Sequence, residues 1–312
     1  MPNLDMAVIS RTVRRSPEVM VKVTGGGGKV GAVRAHFGYI SRNGNLAVAT
    51  DEGEQLRGKA AVKELVDTWQ LELTTGHHRG GRPGEQRKGA KLVQHIVLSM
   101  PKRTDPEAVL TAAQKFAREK FAGQHRYAMV LHTDQLHPHV HMVVKAEGGD
   151  GKKLRIDKAR LREWRGDFAQ YLRELGVEAN ATTRYGRGRG SPRLKEAIVR
   201  NRRYAAPTAV RKRAMEVAAE LKQGKPIQDP ARAKLLETRK AVVKGWMAVA
   251  QRLDRQGETK LAQDVRVFVE QMPPVKTDKE WIAEQLLKQP KANRQPEVKE
   301  RVPEREPPER TR

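Results

Sequence analysis

Four of the nine histidines in this chain fall within ten residues, at His132, His137, His139 and His141, with Asp134 among them in the run LHTDQLHPHVHMVVK. Alternate side chains of a strand share a face, so His139 and His141 in HVHMVV point the same way. His132 ends the preceding apolar run, and hairpin pairing would bring it against one of them. Three neutral imidazoles around one divalent ion leave coordination positions free for a substrate oxygen, the arrangement of a catalytic rather than a structural metal. Asp134 is placed to accept the spare N–H of one ligand and so fix its tautomer. His137 stays open as a fourth ligand, a DNA contact or a turn residue. With no cysteine in the chain, thiolate sites and disulfides are excluded.

A substrate for such a site is suggested by charge. Sixty-two Lys and Arg oppose 37 Asp and Glu, a formal charge of +25, which costs self-repulsion and points to a polyanion, nucleic acid first. Metal-assisted phosphodiester chemistry needs a nucleophile, either water or a side chain that becomes covalently attached. Five tyrosines are present, at 39, 127, 171, 185 and 204. At ~100° per residue, the stripe Val30, Val33, Phe37 and Ile40 centres well over 100° from Tyr39, so that phenol lies off the buried face. Tyr127 falls in a strand, Tyr171 near a core stripe, and Tyr185 and Tyr204 in a basic linker where they could stack on bases. Tyr39 therefore ranks first, and His36, one turn earlier on the same flank, could help to favour its phenolate.

Positioning these groups requires a framework. Met6–Ser10 and Val19–Val23 read as short strands, followed by the glycine-rich turn TGGGGKVG, which lacks Walker A spacing. Helices are predicted from Val30, over Lys59–Glu72, over Asp105–Phe121 and over Asp157–Leu175 with a cap at Gly176. Leu92–Met100, RYAMVLH and HVHMVVK are strands, the last two forming a hairpin. His77–Gly89 reads as an exposed basic loop. The expected class is α+β, an antiparallel sheet with flanking helices followed by a basic, mostly α-helical C-terminal region. The chain divides into a nuclease-like domain over 1–185, a Gly/Arg-rich linker over 186–206, basic helices over 207–289 and a charged, proline-rich disordered tail over 290–312. No internal repeat is found. No run approaches the ~18 apolar residues of a membrane helix, and the N-terminus lacks the apolar core of a signal peptide, so no membrane insertion and a cytoplasmic location are expected.

Three segments in order, AHFGYISRNG, HIVLSMP and HTDQLHPHVHMVV, resemble the three motifs of the conjugative relaxases, the mobilisation proteins of the HUH endonuclease superfamily, on the branch that includes the Agrobacterium T-DNA border endonuclease. The resemblance covers about residues 1–185. It implies an HUH-like fold in which Tyr39 attacks a scissile phosphate and stays on the DNA 5′ end. It implies that His132, His139 and His141 hold the divalent ion, that Asp134 orients one of them, and that Ser99 acts near the 3′ side of the nick. Mg²⁺ or Mn²⁺ is the expected ion, and imidazole ligands also suit Zn²⁺ and Ni²⁺. Lys145 stands where many relatives carry asparagine. His36, Arg42, His137, Lys145, Arg187 and Arg189 are the expected DNA contacts beside Ser99.

The expected function is a site- and strand-specific nicking-closing enzyme for plasmid mobilisation. Its partners would be single-stranded DNA at a transfer origin, accessory mobilisation proteins and a type IV secretion coupling protein, with the bacterial protein itself carried into the recipient with the DNA. A rolling-circle replication initiator shares the chemistry. A water-using metal phosphodiesterase and a non-catalytic metal-containing DNA-binding protein are the alternatives from other classes.

Overall fold

The structure, a computed structural model, describes residues 5–71, 91–188, 209–224, 227 and 229–288. The first element departs from the strand expected at Met6–Ser10. Asp5 accepts the Val8 N–H at 3.0 Å and caps a helix, α1 (Met6–Val13), whose inward residues Ile9 and Thr12 follow helical spacing. Short apolar runs do not distinguish the two periods, and the cap decides here.

Six strands follow in one sheet: β1 (Met20–Gly25), β2 (Val48–Thr50), β3 (Gln55–Leu56), β4 (Val93–Ser99), β5 (Tyr127–His132) and β6 (His139–Lys145). Their spatial order is β1-β4-β6-β5-β2-β3, and every pairing is antiparallel. Helices cover both faces. Pro106–Phe121 (α4) and Lys158–Glu174 (α5), capped by Asp105 and Asp157, bury Phe116, Phe121, Trp164 and Phe168 against Ile96, Leu98, Met129, Val140 and Met142. On the other face, Val30–Ile40 (α2) and Lys59–Thr68 (α3) set Val33, Phe37, Ile40, Val62 and Val66 over Val93, Ala128, Val130 and Val143. Both sheet faces are apolar because both carry helices, which explains the near-continuous hydrophobic runs of β4, β5 and β6.

This strict alternation decides where the histidines go. Even-numbered residues of β6 face α4 and α5, so His139 and His141 must face α2. The hairpin register, His132 opposite His139, brings the third imidazole to the same side.

The C-terminal part is helical among the described residues: α6 (Ala209–Lys222), α7 (Ala231–Arg255), α8 (Thr259–Glu270) and α9 (Asp278–Lys288). Two compact units are distinguished: residues up to Thr183 together with Ala250–Phe268, and Arg184–Val249 together with residues from Val269 onward. Within the second, α6 and α9 pack through Val217, Ile282 and Ala283. The start of the expected Gly/Arg linker is not free chain. Over residues 184–188 it forms a turn in which the Gly188 carbonyl accepts from Arg239 at 2.8 Å and the Gly186 carbonyl accepts from Trp246 Nε1. Arg189, the rest of that segment, the His77–Gly89 loop and the 290–312 tail lie outside the described residues. No described helix is long and apolar enough to cross a membrane.

Candidate active site

His132, His139 and His141 each offer a ring nitrogen within 4.8 Å of the others, with ring centroids 4.6 to 5.1 Å apart. The chemistry of this donor set fits a divalent cation. Burial, and then the neighbouring imidazoles His132 and His139, hold His141 at a pKa of about 3. Burial lowers His132 as well. Both are therefore neutral, with a lone pair available, at physiological pH.

Backbone carbonyls fix two of the rings. His139 Nδ1–H donates to the His137 carbonyl at 2.9 Å, and His132 Nε2–H donates to the Ile40 carbonyl at 2.6 Å. A carbonyl cannot donate, so the proton sits on the histidine in each bond, leaving His139 Nε2 and His132 Nδ1 as the lone-pair nitrogens. The orienting role expected of Asp134 is thus taken by main-chain groups. Its Oδ1 lies 3.8 Å from His132 Nδ1, too far for a hydrogen bond, and its Oδ2 pairs with Arg42. Arg42 in turn holds the Asp134 carboxyl below its ordinary range.

The Ile40 carbonyl belongs to the last turn of α2, where helical carbonyls lack intrahelical partners. Its bond to His132 ties the C-terminal end of α2 to the triad. Tyr39, the preceding residue, is 61% exposed on the flank away from the core. The Arg42 guanidinium lies 5.4 Å from the Tyr39 ring centroid while paired with Asp134. The hydrogen bond to Asp134 is the largest reason its pKa is raised, with smaller contributions from Tyr39. Tyr39, Arg42, Asp134 and the triad therefore form one contiguous patch.

Residues 39–177 match the family model described as relaxase, MobA/VirD2-like, nuclease domain. The segment is a MobA/VirD2-like relaxase nuclease domain. The T-DNA border endonuclease VirD2 of Rhizobium rhizogenes is 29% identical over 190 residues, 55% of this chain and 42% of the relative. The protein of the same name from Agrobacterium fabrum is 29% identical over 136 residues, covering 41% of this chain and 30% of the relative. The chain thus spans less than half the length of these relatives. Two solved structures superpose loosely at 15% identity. One, described as the molecular basis of vancomycin resistance transfer in Staphylococcus aureus, covers 54% of this chain and 98% of its own at a TM-score of 0.33. The other, the conjugative relaxase TrwC with oriT DNA in a metal-free structure, covers 73% and 98% at 0.34.

The remaining predicted positions of the relaxase domain divide. Ser99 is buried, opposite His139 on β4 and on the triad's face of the sheet. His137 is exposed in the hairpin loop, outside the triad, and contributes its carbonyl rather than its ring. Lys145 lies at the far end of β6, four residues from His141 or roughly 13 Å along the strand. Its ammonium donates to the Trp69 carbonyl at 2.8 Å, at the C-cap of α3, so it serves packing at that helix end. Arg187 belongs to the second compact unit. His36 lies toward the triad but stacks flat on His95, with centroids 3.6 Å apart and planes inclined by 7°. Its ring is 6.4 Å from that of Tyr39.

His95 is the feature that sequence reasoning missed. Burial, and then His36 and Lys91, press its pKa down to about 4, and the buried Nε2 atoms of both stacked rings have no hydrogen-bond partner. A signal was present: His95 opens HIVLS, four residues before Ser99, an even spacing that puts both on the same face.

Proposed function

We propose that the relaxase domain nicks one strand of DNA at a transfer origin, with Tyr39 as the nucleophile and the His132, His139 and His141 triad as the seat of a divalent cation. The observation that carries this reading is the double tether of Tyr39 to the triad, through the Ile40 carbonyl on His132 and through Arg42 between the Tyr39 ring and Asp134. A cation bound there, Mg²⁺ or Mn²⁺, would supply charge neutralisation at a non-bridging phosphate oxygen. The protein supplies position. The α2 end presents Tyr39 outward, with the Arg42 guanidinium held beside its ring, where its charge can meet the phosphate under attack. As the Tyr39 Oη–P bond forms, the P–O3′ bond breaks, leaving a 3′-hydroxyl and a 5′-phosphotyrosyl strand. The reverse attack by that hydroxyl rejoins the strand with no external energy. Asp134 keeps Arg42 in place over the ring, and Ser99, next to His139, is placed to meet the DNA on the other side of the phosphate.

In the wider reading, residues 1–185 are the nicking domain, and 207–289 hold DNA, an accessory mobilisation protein or a secretion coupling protein. The protein acts in the bacterial cytoplasm and travels with the strand. The test is incubation of wild type and Tyr39→Phe with single-stranded transfer-origin oligonucleotide and Mn²⁺, followed by a denaturing gel. Loss of both cleavage and covalent adduct in the variant supports the reading. Cleavage that persists without adduct identifies a water-using hydrolase, and binding without cleavage in wild type identifies a DNA-binding protein, either of which overturns it.

A further inference from the structure

Beside the triad, on the other flank of α2, lies a cleft of about 230 Å³ between α2 and α3. Relative to the buried stripe of Val33, Phe37 and Ile40, the positions Arg34, Gly38 and Ser41 turn to one side while His36 and Tyr39 turn to the other. Val62 and Val66 form an apolar floor, and Gly38, directly before Tyr39, leaves one wall without a side chain. Arg34, Lys59 and Lys63 line its edge, and Arg34 is paired with Asp67. Neither lysine forms an ion pair among the described residues. The end of the cleft is the loop Ser41–Gly44, in which Arg42, Asn43 and Gly44 are all left-handed, with φ of 53°, 58° and 89°. Three such residues in succession are held by the Ser41 hydroxyl accepting the Gly44 N–H at 3.0 Å and by the Gly44 carbonyl accepting from Gly58 at 3.0 Å. This conformation sends Arg42 to the Tyr39 side and keeps Asn43 exposed at the lip of the cleft.

The shape and charge of the cleft select an occupant. An apolar slot edged by lysines suits a flat, uncharged heterocycle joined to anionic groups. The volume corresponds to about eight waters at ~30 Å³ each, close to the non-hydrogen atoms of one pyrimidine base. Asn43 offers both an amide donor and an acceptor to a base edge. Bases of single-stranded nucleic acid are splayed out and free to enter such slots. We propose that the α2–α3 cleft is a nucleobase subsite, holding one base of the strand next to the cleaved phosphate between Gly38 and the valine floor, with Lys59 and Lys63 on its phosphates. Because the cleft and Tyr39 lie on adjacent sides of one helix end, a strand crossing α2 joins them within one or two nucleotides. The inference rests on the single-strand substrate proposed above, and it adds a site that would contribute to sequence preference beside the nick.

Gly38 makes the test sharp. A Cβ there would meet only Asn43 Oδ1, at 3.7 Å, so alanine fits without striking the fold and a longer side chain starts out on the cleft side of α2. Replacing a helical glycine also raises helix propensity, so Gly38→Ala and Gly38→Leu should melt no lower than wild type. Fluorescence anisotropy is measured on the full chain, without metal, for dT12 and for a 12-mer of abasic residues carrying the same phosphates. Gly38→Leu is expected to weaken dT12 about tenfold, within the range for one lost base contact, and to leave the abasic strand within about twofold. Lys59→Ala with Lys63→Ala should lower the salt slope of log K by ~1.4 for both strands, ~0.7 per phosphate contact. Equal weakening of both strands by Gly38→Leu, no weakening of either, or an unchanged salt slope in the lysine variant overturns the proposal. Should Gly38→Leu melt early, Gly38→Ala carries the comparison, with about a twofold loss confined to dT12. Tyr39 is intact and metal absent throughout, so this outcome is independent of whether the tyrosine forms an adduct.

Discussion

Gly44→Ala should damage this protein more than its chemistry suggests, and a second glycine calibrates by how much. Gly44 and Gly53 have nearly the same left-handed backbone, φ 89° and 86°. Strain alone costs an L-residue there about 1–3 kcal/mol. Their surroundings differ. A Cβ on Gly53 would meet nothing within 4 Å, whereas on Gly44 it would lie 2.4 Å from the Gly58 carbonyl carbon and 2.6 Å from the Lys59 nitrogen. Both atoms are backbone at the start of α3 and cannot rotate away. Forcing them apart adds about 1–3 kcal/mol, as overpacking does, and strains the Gly58–Gly44 hydrogen bond. At ~2–4 °C per kcal/mol for a domain of this size, Gly53→Ala should lower the melting temperature by about 2–12 °C and Gly44→Ala by several degrees more. The functional readout separates them further. The 41–44 loop carries Arg42, so Gly44→Ala assayed well below its melting point should form covalent DNA adduct at least about tenfold more slowly, and Gly53→Ala within about twofold of wild type. Calorimetry and a single-turnover adduct assay measure both. Equal melting shifts for the two variants, or a Gly44→Ala protein of unchanged adduct rate, would refute the reasoning that this close approach shapes the active site.

Other outcomes follow from the same geometry. His139→Ala, which removes one of the three imidazoles proposed to hold the ion, should weaken Mn²⁺ binding by calorimetry about a hundredfold or more. Lys145→Met should lower stability by about 1–3 kcal/mol through the lost bond to the Trp69 carbonyl, while leaving the salt slope of DNA binding unchanged. Burial sets the folded pKa of His95 at about 4 against 6.5 when unfolded, so between those values the unfolded state binds the extra proton. Its contribution to stability is therefore complete above pH 6.5 and is lost as pH falls towards 4. Chemical denaturation of His95→Gln across that window should show a shallower fall than wild type.

Much of the site was legible because it follows from strand alternation and helix periodicity. The stripe Val33, Phe37 and Ile40 placed Tyr39 outside the core, and the i, i+2 spacing of His139 and His141 placed them together. His132 needed only the hairpin register. What could not be read depends on main-chain groups and on partners distant in sequence. No pattern announces that the Ile40 carbonyl, a helix-end acceptor, would take the His132 proton in place of Asp134. Nor does spacing reveal that Asp134 would instead hold Arg42, since that pairing joins positions 42 and 134 through a left-handed loop. Lys145 shows the same limit in reverse. The resemblance puts it among the DNA contacts, and no spacing reveals that its ammonium donates to the Trp69 carbonyl at the end of α3. The strand expected at Met6–Ser10 failed because one capping carboxylate, Asp5, outweighs a short apolar run.

The central claim is that Tyr39 becomes bonded to DNA at a site organised by the triad. Wild-type protein is reacted with Mn²⁺ and a single-stranded transfer-origin oligonucleotide, the adduct is digested with nuclease and trypsin, and the modified peptide is sequenced by mass spectrometry. The account predicts a phosphonucleotide on Tyr39 within the peptide Ala35–Arg42, and none when His139 is replaced by alanine. A nucleotide on any other residue, or an adduct that survives the loss of His139, would contradict it.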